Sequence, residues 1–157
     1  MNATRRMFLK RAGTLTGFAA AIAAGWLDAG SALAASVWNR MAFTAKTLPD
    51  AFANAGYANA QPSSDIVLET QDIAENGAVV PVTATSKIPG TTSMAIFIDK
   101  NPNPLIAEFV FSNGAEPFIA TRVKMAETSS VRIAVKAGGK VYITSREVKV
   151  TSGGCGG

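Results

Sequence analysis

Cys155 is the only cysteine in the 157-residue sequence and is the residue best suited to covalent chemistry. One cysteine cannot form an internal disulfide, and an odd thiol in an exported protein indicates pairing with another molecule or a free reactive group. A thiolate is a good nucleophile. The residue type therefore predicts a site of covalent attachment.

The residues on either side of this thiol are all glycines: Gly153, Gly154, Gly156 and Gly157. Glycine lacks a side chain and adopts either sign of φ, so such a segment can follow the shape of a receiving cleft. A segment this loose cannot build its own active site, because catalytic groups must be held to well under about 1 Å. We therefore predict that residues 151–157 form a flexible C-terminal arm that presents Cys155 to other proteins. The alternative is a frayed terminus without function.

Histidine is absent from the sequence. Ser-His-Asp and Cys-His catalytic arrangements are therefore excluded, and the His/Cys sites that hold zinc, copper, haem or iron–sulfur clusters cannot be assembled. The carboxylates Glu69, Asp72 and Glu75 are expected to be solvated, because no other polar groups converge with them. We predict that the chain is not an enzyme and binds no metal or cofactor itself.

Residues 1–34 have the pattern of an export signal. The pair Arg5-Arg6 lies in a basic stretch, an apolar run rich in Ala and Gly follows, and cleavage is expected after Ala34. Paired arginines followed by Phe-Leu-Lys predict the twin-arginine pathway to the periplasm. The alternative is a membrane anchor, but the apolar run is short for the ~20 residues that a membrane-spanning helix needs.

Removal of this signal changes the charge. Of 15 basic and 11 acidic residues, 11 and 10 remain in the 123-residue mature chain, a balance of +1. No basic block is left, so nucleic-acid binding is not expected, and neither is membrane association after cleavage. The length suits one domain. The twin-arginine pathway exports proteins that are already folded. Since no cofactor is expected in this chain, we predict that a folded partner subunit is exported with it.

A helical lead-in and a linker are predicted for residues 35–64. Pro49 interrupts the helical pattern and begins a second short turn that ends at Gly56. Residues 54–64 are small and polar, as is typical of a linker. The apolar face of the first helix consists of Trp38, Met41, Ala42 and Ala45.

Residues 65–150 have the pattern of an all-β immunoglobulin-like sandwich of about seven strands, because short apolar and β-branched runs alternate with turn residues. Gly138-Gly139 is the clearest hairpin turn. The predicted strands are 65–70, 78–85, 93–99, 105–112, 117–125, 129–136 and 140–150.

Alternation assigns faces to the late strands. Val131, Ile133 and Val135 should point into the core, while Arg132 and Lys136 point outward.

The last strand does not keep one parity, since Val141 and Ile143 are odd-numbered whereas Val148 and Val150 are even-numbered. A bulge near Arg146 is therefore predicted, to keep both pairs on the core.

The middle strands are apolar on both faces around Phe97, Ile106 and Val110. Either the N-terminal helix covers the second face or that face binds another protein, because monomers seldom expose contiguous apolar patches. Both can hold at once, and these three residues are the candidates for a partner interface.

These features together resemble the SoxY family, the cysteine-bearing subunits of the SoxYZ carrier of periplasmic thiosulfate oxidation. The resemblance is carried by the twin-arginine signal, the run IVLETQDIAENGAVVPV at residues 66–82, the β-rich body and the terminal GGCGG. It covers essentially the whole chain.

The resemblance implies a cycle of covalent intermediates on Cys155. In that family a c-type haem enzyme, SoxAX, couples thiosulfate to the thiol as a cysteine S-thiosulfonate, and the hydrolase SoxB releases sulfate. A sulfane dehydrogenase, SoxCD, oxidises the remaining sulfane sulfur in some organisms. SoxZ, a β-sandwich without an export signal, is the heterodimer partner, and haem, manganese and molybdenum belong to the partner enzymes.

Other functions remain open on the residues alone. A thiol-disulfide oxidoreductase generally needs a C-x-x-C pair or a resolving cysteine, which this chain lacks. A structural sandwich protein could use Cys155 as a disulfide tether. A ubiquitin-like carrier acting through the carboxylate of Gly157 would need adenylation by ATP, which the periplasm lacks.

Overall fold

Two short helices and nine strands make up residues 39–152, the part of the chain that the computed structural model describes. The predicted signal peptide, Trp38, Cys155 and its four neighbouring glycines lie outside these residues. The helices are α1 (Arg40–Thr44) and α2 (Leu48–Asn54). The strands are β1 (Gln61–Pro62), β2 (Ile66–Thr70), β3 (Ile73–Ala74), β4 (Val80–Ser86), β5 (Thr91–Ile98), β6 (Leu105–Val110), β7 (Phe118–Val123), β8 (Ser129–Ala137) and β9 (Lys140–Val150).

Local capping defines the two helices. The Asn39 side chain accepts a hydrogen bond from the Ala42 N–H at the start of α1, and Thr47 caps α2 in the same way. Pro49 lies in the first turn of α2, and Gly56 follows its end with a φ of +72°, as the predicted second turn requires. The predicted apolar face of the first helix is only partly right, because Met41 is 69% exposed. No helix in the described residues is long and apolar enough to cross a membrane.

The strands form two sheets. The larger sheet has the order β1-β9-β8-β5-β6, and β3 pairs with the C-terminal end of β9. The smaller sheet has the order β2-β4-β7. All seven predicted strands are present within a few residues of their predicted bounds, so the all-β sandwich prediction is confirmed. The short strands β1 and β3 were not predicted, because two residues are too few to show an alternating pattern.

The predicted hairpin between β8 and β9 is also confirmed. Gly138 and Gly139 have φ values of +56° and +75°, which is the backbone of a type I′ turn.

The main core lies between the two sheets. Val131, Ile133 and Val135 of β8 are completely buried in it, as the alternation predicted, and Arg132 and Lys136 lie on the opposite face. The other strands contribute completely buried residues that include Met94, Ile96, Ile98, Val80, Val82 and Val148.

A second apolar cluster lies on the other face of the large sheet, beneath the helices. Phe97 is completely buried there, with its ring stacked on Phe52 at 4.1 Å and edge-on to Tyr57 at 5.8 Å between ring centroids. Ala95, Leu105 and Ala134 belong to the same cluster. Helical cover therefore explains the apolar second face, and the assignment of Phe97 to a partner interface is wrong.

The predicted bulge in β9 is absent. Pairing between β8 and β9 runs without a register shift from Ser129 opposite Val148 to Ala137 opposite Lys140. Val148 faces the sandwich core, whereas Val141 packs into the cluster beneath the helices. A regular strand accommodates both parities because apolar partners cover each face of the sheet.

The segment predicted as a linker contains a core residue. Tyr57 is completely buried, and Gln61 and Pro62 pair in parallel with Tyr142 and Ile143. The segment that connects α2 to β2 is therefore packed against the large sheet.

Candidate functional site

The described chain ends at Thr151 and Ser152, which we call the arm root. The Thr151 N–H donates to the carbonyl of Ala74 at 3.0 Å, and the carbonyl of Ser152 accepts from the Gly77 N–H at 2.7 Å. The Thr151 hydroxyl also donates to the carbonyl of Glu75 at 3.3 Å. Hydrogen bonds therefore hold both root residues to the segment that follows β3.

Lys149 and Val150, which precede the arm root, are held by contacts on two sides. Ile73 and Ala74 of β3 pair in parallel with Lys149 and Val150 at the end of β9. On the other side, the Val150 N–H donates to the hydroxyl of Thr128 at 3.0 Å.

Gly77 links the root to the sandwich. Its N–H bonds Ser152, its carbonyl accepts from the Met125 N–H at 2.7 Å, and the residue is buried. The Asn76 side chain accepts from the Ala78 N–H at 2.8 Å and shapes the turn around Gly77. The position of Ser152, the last described residue, is thus defined by main-chain contacts.

The predicted site residues Cys155, Gly153, Gly154, Gly156 and Gly157 lie outside the described residues. Cys155 is nevertheless only three residues after Ser152. At about 3.4 Å for each extended residue, its Cα lies within ~10 Å of the Ser152 Cα. The reach from the last hydrogen-bonded residue is therefore shorter than the ~17 Å obtained by counting from Val150.

The predicted partner residues have different environments. Phe97 is buried, as described above, and Ile106 is half-buried against the sandwich core. Val110, the last residue of β6, is 72% exposed. Only Val110 offers a largely free apolar side chain.

The three carboxylates noted in the sequence are exposed, as predicted. Asp72 accepts from Arg146 at 2.7 Å in an exposed ion pair, and such surface pairs contribute little to stability. Among the described residues, no three His, Cys, Asp or Glu side chains are grouped as a metal site would require.

A polar cluster centred on Tyr57 was not predicted from the sequence. Its hydroxyl lies 2.9 Å from Ser93 Oγ and donates to Glu108 Oε1 at 3.0 Å. Lys136 Nζ bonds the same Glu108 oxygen at 3.3 Å, donates to the Ala55 carbonyl at 2.8 Å and lies 4.0 Å from the centroid of the Tyr57 ring. Burial raises the pKa of Tyr57 well above its ordinary value, and the Glu108 charge adds to this shift. The one feature of the sequence that could have indicated this cluster is the position of Tyr57, an aromatic residue in a segment that is otherwise small and polar.

Two adjoining clefts lie on the helix side of the large sheet. One, of about 450 Å³, is lined by residues of the β1 segment and β9, and the other, of about 420 Å³, by α2; both include Arg132 and Ile143. Arg132 is paired there with Asp99 through two hydrogen bonds of 2.6 and 2.7 Å. Seven strand residues, or roughly 23 Å, separate Ile143 from Val150. These clefts therefore lie far along β9 from the arm root.

Comparison with a family model gives a match over most of the folded unit. The model described as sulfur oxidation protein SoxY matches residues 52–155, so the match includes Cys155. No curated protein sequence matches the chain significantly.

Solved structures give a related result. The sulfur carrier protein SoxY from Chlorobium limicola f thiosulfatophilum is 42% identical, with a TM-score of 0.60 over 67% of this chain and 96% of that chain. A superoxide reductase (neelaredoxin) from Ignicoccus hospitalis is 12% identical, with a TM-score of 0.48 over 54% of this chain and 79% of that chain. The second similarity is too low to bear on function.

Proposed function

The chain belongs to the SoxY family of sulfur oxidation proteins, and on that basis we propose that it is a covalent carrier of sulfur intermediates in thiosulfate oxidation. Its role is that of a carrier rather than an enzyme, with Cys155 as the attachment site. The observation that carries the proposal is the family match over residues 52–155, which extends from the folded unit to the only thiol of the chain.

The geometry of the arm root supports this role. Hydrogen bonds to Ala74 and Gly77 hold Thr151 and Ser152 at a defined position on the body. Cys155 follows within about 10 Å, separated from the root by two glycines. A thiol on such a short tether can enter the active site of another protein while the sandwich remains outside.

The proposed loading step is an oxidation. A sulfur–sulfur bond forms between Cys155 Sγ and the sulfane sulfur of thiosulfate, the thiol loses its proton, and two electrons pass to the haem groups of a c-type enzyme, SoxAX. The product is a cysteine S-thiosulfonate.

Hydrolysis follows. In SoxB, water attacks the sulfone sulfur, the bond between sulfone and sulfane sulfur breaks, and sulfate leaves with two protons, so a persulfide anion stays on Cys155. Where SoxCD is present, it oxidises this sulfur to a sulfonate with three oxygens from water, and six electrons pass to its own cofactors with release of six protons. A second hydrolysis then regenerates the thiol.

The location and the subunit partner are part of the same proposal. The paired arginines and the cleavage pattern at Ala34 support export of the folded protein to the periplasm. We propose SoxZ as the heterodimer partner, with Val110 at the contact because its side chain is exposed at the end of an edge strand.

The carrier role is tested by incubating the mature chain with thiosulfate and the oxidising enzyme and measuring intact mass. We expect one thiosulfate adduct on the native chain and none on Cys155→Ala. Ser152→Ala is the matched control and should still be loaded, because the hydrogen bond of Ser152 to Gly77 is made by its main-chain carbonyl and is kept in the variant. An adduct on Cys155→Ala would exclude this attachment site.

A disulfide-tethered structural protein is distinguished by the same samples on non-reducing gels. A carrier stays mostly uncrosslinked through its cycle, whereas a tethered protein remains joined to another chain through Cys155. Permanent crosslinking without any thiosulfate adduct would contradict the carrier role. Cys155→Ala should melt at the native temperature in either case, since none of the core contacts within residues 39–152 involves its side chain.

A further inference from the structure

We propose that the exposed side chains of Ile73 and Val79, which flank the arm root, form a docking surface for the rim of the active-site cleft of an enzyme that processes sulfur bound to Cys155. This inference rests on the proposed function. It adds a surface on the body of the carrier to the thiol that the enzyme receives. We call Ile73 and Val79 the root patch.

The length of chain between the root and the thiol requires contact of this kind. Cys155 lies three residues after Ser152, so its Cα reaches at most about 10 Å from the Ser152 Cα. Reacting atoms in enzymes lie inside clefts, and the depth of the cleft uses part of this reach. The rim of the cleft must therefore come against the surface around Ser152.

The root cannot extend this reach without loss of structure. Peeling Thr151 and Ser152 away would break their main-chain hydrogen bonds to Ala74 and Gly77, and further peeling would break the Val150 bond to Thr128. Each such bond contributes to the stability of the fold. The anchored root thus sets where an enzyme must dock.

Two of the exposed large apolar side chains of the described residues lie at this position. Ile73 is 58% exposed and pairs with Lys149, three residues before Ser152. Val79 is 51% exposed and follows by two residues the Gly77 that bonds Ser152.

Neither side chain is needed inside the fold. Their neighbours Ala74 and Val80 are the residues that alternation directs into the core, and both are completely buried. A single exposed apolar residue is ordinary, but two beside a short tether lie where an enzyme surface must approach. Burial of such side chains contributes binding energy without taking part in the chemistry.

The charges nearby favour an apolar contact. Asp72 and Arg146 pair with each other at 2.7 Å, so they cancel locally. Glu75 and Lys149 are exposed and have opposite signs. The occupant that fits is therefore an apolar rim with little net charge, rather than a strongly charged surface.

The test compares the double variant Ile73→Ser/Val79→Ser with the native protein, each as the full mature chain with any subunit that copurifies. Each is loaded with thiosulfate, and sulfate release by the hydrolase is followed at increasing carrier concentration. We expect KM to rise by about tenfold or more with kcat unchanged, because docking acts before the chemical step. Met41→Ser, which changes a 69% exposed residue on α1, is the matched control and should keep the native KM.

Two further measurements separate the possible outcomes. Alkylation of Cys155 by iodoacetamide should proceed at the native rate in the double variant, which shows that the thiol itself is unaffected. A native KM for the folded double variant would overturn the docking surface while leaving the carrier role intact. Absence of sulfate release from the loaded native chain would overturn the proposed function and this inference with it. If the double variant melts early, Ile73→Ser and Val79→Ser are assayed singly, each with an expected KM increase of roughly threefold.

Discussion

Tyr57 shows how one side chain joins several elements of this protein. Its ring packs edge-on against Phe97 of β5, its hydroxyl bonds Ser93 of β5 and Glu108 of β6, and the ammonium group of Lys136 from β8 lies over the ring. Among the described residues, no buried side-chain nitrogen or oxygen lacks a hydrogen-bond partner. Satisfied networks of this kind stabilise the fold, because removing one member takes a hydrogen bond from each of its partners.

Tyr57→Phe should therefore lower the free energy of unfolding by about 1–2 kcal/mol, since Ser93 and Glu108 lose a buried hydrogen-bond partner. Urea unfolding at neutral pH measures this change. Tyr142→Phe is the matched control, because Tyr142 is half-buried and its hydroxyl makes no hydrogen bond to another described residue. Equal loss in both variants would show that the network contributes nothing specific.

The same variant should change the alkaline limb of the stability curve. Burial raises the pKa of Tyr57 above its ordinary value near 10, so the native state keeps a proton that the unfolded chain releases. The stabilising contribution is complete below about pH 10 and is lost as the pH rises through the raised pKa. Above pH 10 the native protein should lose up to about 1.4 kcal/mol per pH unit more than Tyr57→Phe. Parallel curves for the two proteins would contradict this assignment.

At the scale of elements, the helices α1 and α2 pack on the second face of the large sheet and cover it. Ala42 and Ala51 are buried against it, and the ring of Phe52 stacks on Phe97. The small helical residues allow close approach, and the aromatic pair fills the space between helix and sheet. Because β5 and β8 are covered on both faces, they carry apolar residues at both parities.

Phe97→Ala should lower the free energy of unfolding by about 3–5 kcal/mol, because it leaves a cavity in a completely buried site. Phe118→Ala is the matched control. That residue is 49% exposed on β7, so its truncation should cost less than about 1.5 kcal/mol. Chemical denaturation of both variants measures the difference, and a small loss for Phe97→Ala would mean that the helical layer contributes little.

At the scale of the whole molecule, each of the two sheets ends in an edge strand. β6 ends the large sheet and β7 ends the small sheet. Their exposed apolar residues are Val110 and Phe118. Edge strands are natural sites for pairing with another chain, which agrees with the partner subunit proposed above.

Val110→Asp should weaken heterodimer formation with SoxZ by about tenfold or more, because a charge would be placed against an apolar contact. Sedimentation velocity of the mixed subunits measures the association. Met41→Asp is the matched control, since Met41 is similarly exposed but lies on α1. The melting temperature of Val110→Asp alone should stay native, and a native affinity for SoxZ would place the interface elsewhere.

Local patterns in the sequence were sufficient to predict the seven longer strands. Alternation over five or more residues located β2 and β4 through β9, and the paired glycines 138 and 139 located a turn, because these signals depend only on neighbouring residues. The absence of any second cysteine is a property of composition, and it is the reason for predicting Cys155 as the site of covalent attachment.

Tertiary structure alone decided how the faces of the large sheet are covered and where Ser152 is held. The ring contact between Phe52 and Phe97 joins residues that are 45 positions apart in the sequence. The hydrogen bond between Gly77 and Ser152 joins residues that are 75 positions apart. Strand β3 consists of two residues and shows no periodicity of its own. Contacts of this kind depend on which distant segments meet in space, and a pattern confined to neighbouring residues does not contain that information.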